Sequence, residues 1–74
     1  MHLASPEDRA HYSYMLAKLY AQHGDVERCL HCLRQAKEAG YSKLPEVHSD
    51  ADFAVVRTDP RFNQLAIPLP TSPQ

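Results

Sequence analysis

Residues 12–40 contain two amphipathic helical patterns separated by the dipeptide Gly24-Asp25. The first pattern has one helix face at i, i+3, i+4, i+7 spacing, made of Tyr12, Met15, Leu16, Leu19, Tyr20 and His23. The second has an apolar stripe made of Val26, Cys29, Leu30, Leu33 and Ala36. A two-residue connection makes neighbouring helices run antiparallel. The sequence therefore predicts a helical hairpin, which is more typical of an interaction scaffold than of a catalyst.

The ends of both helices carry clear start and stop residues. Ser5 followed by Pro6 is a typical helix start, and Gly24 ends a helix because it adopts positive φ at low cost. The first helix is therefore expected at about 6–22. Asp25 and Gly40 bound the second helix at about 26–39, and Tyr41 is placed to make the apolar contact that often follows a terminal glycine.

The pattern shortens after Gly40. Ser42 is expected to cap a single turn, and Ser49 with Asp52 resembles a capping box. Asp59 before Pro60 opens a last turn. Three short helices are therefore expected at about 43–48, 50–57 and 60–65. They bring six apolar residues over the hairpin, namely Leu44, Val47, Phe53, Val56, Phe62 and Leu65.

The fold class that follows is all-α, an antiparallel helical hairpin followed by two or three short capping helices. It occupies residues 1–66 as a single domain. Residues 67–74 contain three prolines and are expected to form a disordered tail.

Composition excludes several classes of partner. The net charge is −1, whereas nucleic acids and anionic membranes attract chains with a basic surplus. No apolar run approaches the roughly 20 residues needed to span a bilayer, and the first residues lack the pattern of a signal peptide. A cytoplasmic protein is expected.

The hairpin resembles a tetratricopeptide (TPR) repeat over residues 10 to about 42. Eight positions carry the resemblance: Leu16, Ala17, Tyr20, Gly24, Asp25, Cys29, Leu33 and Ala36. Cys29 replaces a small alanine, Ser13 stands where an aromatic residue is common, and the usual closing proline is absent. Residues 59–65, Asp-Pro-Arg-Phe-Asn-Gln-Leu, match a box that often closes bacterial TPR arrays.

A single repeat has consequences for its partners. A solenoid needs about three repeats for independent stability. The chain is therefore expected to be a piece of a longer repeat protein or a module that associates with itself. Its partner would be a peptide, a helix of another protein, a second copy of the chain or adjacent repeats.

The resemblance also implies a binding groove lined by the first helix. Five positions would face it: His11, Tyr14, Lys18, Ala21 and Gln22. Lys18 would hold a carboxylate, and Tyr14 would stack or donate a hydrogen bond. The alternative interpretation is that these residues form the solvated face of an amphipathic helix.

Cys29 and Cys32 suggest a second function, metal binding or thiol redox chemistry. Zinc needs four ligands, and His23, His31 and His48 are the available imidazoles. No second paired motif is present, and Cys29 lies about one turn inside a helix without a preceding strand. Packing is the favoured role of both thiols, and no cofactor or metal is expected.

The sequence thus predicts a protein interaction module and not an enzyme. Two alternatives stay open: the metal or thiol protein, and a structural end-cap that packs only on the preceding repeat of a parent protein. The end-cap would show an exposed apolar patch on the outer face of the first helix and would associate in isolation.

Overall fold

A computed structural model of the chain describes residues 5–69, which form helices and turns and contain no strand. The two long helices are α1 (Pro6–Gln22) and α2 (Val26–Glu38). A 3₁₀ helix (Leu44–His48), a second 3₁₀ helix (Ala51–Phe53), α3 (Ala54–Arg57) and α4 (Pro60–Gln64) follow. The predicted all-α hairpin with short capping helices is confirmed. Residues 41–67 are called the capping segment below.

The start of α1 is fixed by a reciprocal capping box. The Asp8 amide donates to Ser5 Oγ at 3.1 Å, and the Ser5 amide donates to Asp8 Oδ2 at 3.4 Å. Pro6 occupies the first turn, where a missing N–H costs nothing. The helix therefore begins where the sequence predicts.

Both long helices end in the same way, at a glycine with positive φ. Gly24 has φ +76°, and the next amide, that of Asp25, donates to the Tyr20 carbonyl at 2.9 Å. Gly40 has φ +79°, and the Tyr41 amide donates to the Ala36 carbonyl at 3.0 Å. These six-residue bonds define Schellman endings. Asp25 then caps α2 by accepting from the Arg28 amide at 3.1 Å. In the turn between the two helices, Gly24 therefore ends α1 and Asp25 starts α2.

Small residues line the packed face of α1. Its buried residues are Ala10, Tyr14, Ala17 and Ala21, and those of α2 are Cys29, Leu30, Cys32, Leu33 and Ala36. The stripe predicted for α2 is confirmed, with Val26 only partly buried. The apolar face predicted for α1 packs only in part, because Leu16 and Tyr20 pack against the core whereas Tyr12, Met15 and Leu19 are exposed. The buried alanines of α1 are small enough to let neighbouring backbone approach closely on this face.

The capping segment covers the hairpin with the six apolar residues that the sequence singled out, all of them buried. Arg57 secures it internally, since its Nη1 donates to the carbonyls of Val47 at 2.8 Å and Asp50 at 2.6 Å. Asp59 caps α4 through the Arg61 amide at 2.8 Å, as predicted.

Two predicted caps in this segment are wrong. The first 3₁₀ helix follows Lys43 without any side-chain cap, so Ser42 has no capping role. Asp50, not Ser49, caps the second 3₁₀ helix, because Ser49 Oγ donates backwards to the Glu46 carbonyl at 3.3 Å. The helix expected at 50–57 is consequently split into a 3₁₀ turn and the α-helical turn of α3.

The tail begins later than predicted. Ile67 is only 7% exposed and belongs to the core. Ala66, with φ +52°, turns the chain back, and His48 Nε2–H donates to the Ile67 carbonyl at 2.8 Å. Lys37 Nζ donates to the neighbouring Leu65 carbonyl at 2.6 Å. Residues 70–74 of the predicted tail lie outside the described residues.

Candidate functional site

Four of the five predicted groove residues of α1 contact the chain's own capping segment, and the fifth, Ala21, is buried. Tyr14 is 3% exposed, with its ring between those of Tyr41 (4.7 Å between centroids) and Phe53 (5.4 Å). Ala21 is buried as well. His11 is exposed and stacks on Tyr41 at 5.8 Å, with an angle of 22° between the rings. The rings that the groove offers to a partner are thus already in contact with the capping segment.

The charged groove residues are also engaged within the chain. Lys18 Nζ lies 3.0 Å from Asp50 Oδ2 and 3.8 Å from Asp52 Oδ2. Gln22 Nε2 donates to Asp52 Oδ2 at 3.2 Å. Lys18 therefore holds carboxylates, as the resemblance implied for a partner, but these two are the N-cap and a residue of the second 3₁₀ helix of the same chain.

The pKa values in this cluster follow from these contacts. The hydrogen bond to Asp50 raises the pKa of Lys18 above its ordinary value. Burial by itself would raise the pKa of Asp50, but the Asp52 amide and the Lys18 ammonium outweigh it and hold that pKa below its usual value. Both shifts favour the charged forms, so the ion pair stabilises the docked capping segment.

Tyr14 carries the one buried side-chain polar atom without a partner in residues 5–69, its hydroxyl oxygen. Burial, followed by the negative charge of Asp50, raises the pKa of this phenol well above its ordinary range. The hydroxyl is shielded from solvent, so the predicted hydrogen bond from Tyr14 to a partner requires the capping segment to move. In the described arrangement Tyr14 acts as a core aromatic residue.

The opposite face of α1 is apolar and open. Tyr12 is 66% exposed, Met15 44% and Leu19 50%. Their i, i+3, i+7 spacing places them in one line along the helix, directly opposite the buried alanine face. Leu16 and Tyr20 are partly buried beside this line and pack against the core. Tyr12, Met15 and Leu19 are called the outer stripe below.

The sequence places the residues of the outer stripe on an apolar face of the first helix, and only the end-cap alternative predicts that such a patch is exposed. The signal that separates the two faces of α1 is the row of alanines at 10, 17 and 21, which identifies the side of close helix packing. The partnership of Lys18 with Asp50 and Asp52 was also missed. Nothing in the sequence indicates it, because the two acidic residues lie more than thirty positions away.

The two cysteines are free and buried in the hydrophobic core. Burial, with smaller contributions from Cys32 and Asp25, raises the pKa of Cys29 to about 12. Burial also raises the pKa of Cys32. A reactive or metal-binding cysteine needs an accessible thiolate, and both shifts oppose that form.

The histidines named as additional ligands do not join the cysteines. His48 packs its ring edge-on against Phe62 at 5.5 Å, and His23 Nδ1–H donates to the Leu19 carbonyl at 2.8 Å. Within residues 5–69 no three histidine, cysteine or acidic side chains are grouped to hold a metal ion. The geometry of both thiols is that of packing residues.

No family model, curated protein or solved structure matches the chain. The TPR resemblance accordingly stays a prediction made from the residues. In the part of the chain that the structure describes, no helix combines the length and the apolar content of a membrane span.

Proposed function

We propose that the chain is a protein interaction module that docks a helical partner on the outer stripe of α1. The observation that carries this proposal is the exposure of Tyr12, Met15 and Leu19 in one line on a helix whose other side is packed. Each of these side chains loses unfavourable contact with water when a partner covers it. An apolar row of this kind on a helix also matches the way in which helices recognise one another.

The shape of the surface favours a helix as the partner. Tyr12 and Leu19 are seven residues apart, which corresponds to about 10 Å along the helix axis. The side chains form a ridge, and a ridge fits the groove between side-chain rows of another helix. Small molecules bind in concave sites that enclose them, which a ridge does not provide. Binding, and not catalysis, is the role that this surface supports.

The TPR-like character of the hairpin is part of the proposal. Ala17, Cys29 and Ala36 are fully buried, as the close packing of two helices in such a repeat requires. The capping segment covers the face of α1 that bears the predicted groove residues, and the outer stripe lies on the other face. A preceding repeat of a longer protein and a helix of a separate protein would both fit this stripe.

We place the partner on the outer stripe and not in the groove for an energetic reason. A peptide in the groove has to displace contacts of Tyr14, Lys18 and Gln22 that the capping segment already makes. A helix on the outer stripe displaces only water. We also place the protein in the cytoplasm, where reducing conditions keep thiols such as Cys29 and Cys32 free.

Site-specific photo-crosslinking in the cells that express the protein tests this proposal. A benzophenone amino acid replaces Met15 on the outer stripe, His11 on the groove face or Val55, which is 54% exposed on α3 and serves as the matched apolar control. We expect a protein adduct from position 15 that disappears when Leu19→Lys is added. Adducts from position 11 or 55 that equal those from position 15 would contradict the proposal.

A further inference from the structure

We infer that the partner on the outer stripe is the outer stripe of a second copy, with the two α1 helices antiparallel. This inference rests on the proposed function, because it names an occupant for the same surface. The argument comes from the charges at the two ends of the stripe and from the symmetry that they create.

The two ends of the stripe carry groups of opposite charge preference. Asp8 lies one turn before Tyr12, and His23 lies one turn after Leu19, so both continue the line of the stripe. Both side chains are exposed. His23 Nδ1–H is directed to the Leu19 carbonyl, and Asp8 Oδ2 accepts from the Ser5 amide in the capping box. α1 thus presents an acid, three apolar residues and an imidazole in one row.

A two-fold axis between positions 15 and 16 pairs this row with itself. Tyr12 then lies level with Leu19 of the second copy, and Asp8 lies level with its His23. The antiparallel orientation also brings the positive N-terminal end of each helix dipole beside the negative C-terminal end of the other. A parallel pair would instead place Asp8 beside Asp8 and His23 beside His23. Charge therefore selects the antiparallel arrangement.

The size of the contact predicts a dimer that dissociates on dilution. Stable interfaces bury about 800 Å² on each partner, and three side chains with their neighbours on one helix offer less. The apolar side chains supply the attraction, while the Asp8 and His23 pairs at the rim set the register.

Disulfide trapping between single-cysteine additions tests the register. Tyr12→Cys and Leu19→Cys are prepared separately in the full chain, and the native thiols stay out of the reaction because both are buried. In the proposed dimer, positions 12 and 19 of opposite copies are level, whereas two copies of position 12 are about 10 Å apart along the axis. A disulfide requires Cα atoms within about 7 Å. We expect the mixed disulfide in a mixture of the two variants and little of either self-disulfide.

Sedimentation equilibrium of the unmodified chain and its variants tests the association itself. We expect Leu19→Lys to raise the dissociation constant about tenfold or more, equivalent to about 1.4 kcal/mol. His23→Glu should weaken the dimer, and His23→Lys should retain it. His31→Glu, at an exposed histidine of α2, is the matched control and should change nothing. Circular dichroism confirms that each variant keeps its helices.

The possible outcomes separate this inference from the proposed function. Self-disulfides of Tyr12→Cys and Leu19→Cys in place of the mixed one would overturn the antiparallel register. A chain that sediments as a monomer at every concentration would overturn self-pairing altogether. In that case the proposed function still stands if the crosslinker at position 15 captures a different protein, and it fails with the inference if the crosslinker captures none.

Discussion

Ala66 has a left-handed backbone conformation, with φ +52°, that is unusual for a residue other than glycine. The turn at Ala66 directs Ile67 into the core and brings the Ile67 carbonyl to His48. Burial of the isoleucine and the hydrogen bond from His48 therefore compensate for the cost of this conformation. The strained backbone of Ala66 thus allows the C-terminal end of the capping segment to pack on the core.

Ala66→Gly is expected to stabilise the protein. The left-handed conformation costs an alanine about 1–2 kcal/mol, and glycine removes that cost while adding about 0.4–1 kcal/mol of unfolded-state entropy. The net gain should be about 0.5–1 kcal/mol in the free energy of unfolding, measured by urea titration. Ala54→Gly is the matched control, since Ala54 is exposed at φ −55° and should lose about 1 kcal/mol. Equal losses for both variants would show that Ala66 is not strained.

Single residues explain why the helix ends were predictable and the tail was not. Ser5, Gly24, Asp25 and Gly40 act through hydrogen bonds to neighbours within five positions, so their effect is readable from local sequence. Ile67 packs on elements that are distant in the chain. The adjacent prolines correctly exclude a helix there, but they carry no information about burial.

At the scale of elements, α1 and the capping segment are joined by one polar cluster and one aromatic cluster. Tyr14, Tyr41 and Phe53 form the aromatic part, and Lys18 with Asp50 forms the centre of the polar part. The side chains of Lys18 and Asp50 are 30% and 22% exposed, which limits their interaction to about 1 kcal/mol. The charges therefore tune the stability of the docked segment, and burial of its apolar side chains, aromatic and aliphatic, supplies most of it.

Acid should weaken the docking of the capping segment through Asp50. Its pKa in the folded state lies below the ordinary value of about 3.9, so its ionised form stabilises the fold above that pH. This contribution is lost as the pH falls from about 3.9 through the lowered pKa of the folded state. Asp50→Asn keeps a good cap but loses the charge. This substitution should lower the free energy of unfolding at neutral pH by about 1 kcal/mol. Below pH 4 the variant should lose less stability on acidification than the unmodified protein.

Urea titrations at a series of pH values measure this effect. Glu38→Gln removes the same formal charge from an exposed position on α2 and is the matched control, expected to follow the unmodified protein. If Asp50→Asn and the unmodified protein lost stability in parallel on acidification, Asp50 would have no part in the acid response.

For α1, the spacing of apolar residues does not predict which face of the helix is buried. Apolar residues lie on both sides of this helix, so periodicity alone indicates two packed faces without ranking them. The buried face is the one with small side chains, namely the alanines at 10, 17 and 21. α2 has a single apolar stripe opposite charged residues, and for that helix the predicted and observed faces agree.

Considered as a whole, the chain covers one face of α1 with its capping segment and leaves apolar side chains on the other face of α1 exposed to solvent. The capping segment packs on the side of the predicted groove, and the outer stripe of Tyr12, Met15 and Leu19 faces solvent. The hairpin class was predictable because it depends on caps and periodicity. Which apolar residues of α1 stay exposed depends on how residues 41–67 fold back on the hairpin, and only the end-cap alternative predicts an exposed patch on the outer face of α1.

Amide chemical shifts of the isotopically labelled protein, recorded from dilute to concentrated solution, test most directly which face of the molecule associates. We predict concentration-dependent shifts confined to α1 around the outer stripe and its ends at Asp8 and His23. The capping segment and the amides near Cys29 should not change. Shifts centred on His11, Lys18 and Asp50 would contradict association through the outer stripe, because they would show that the face covered by the capping segment is the one that binds.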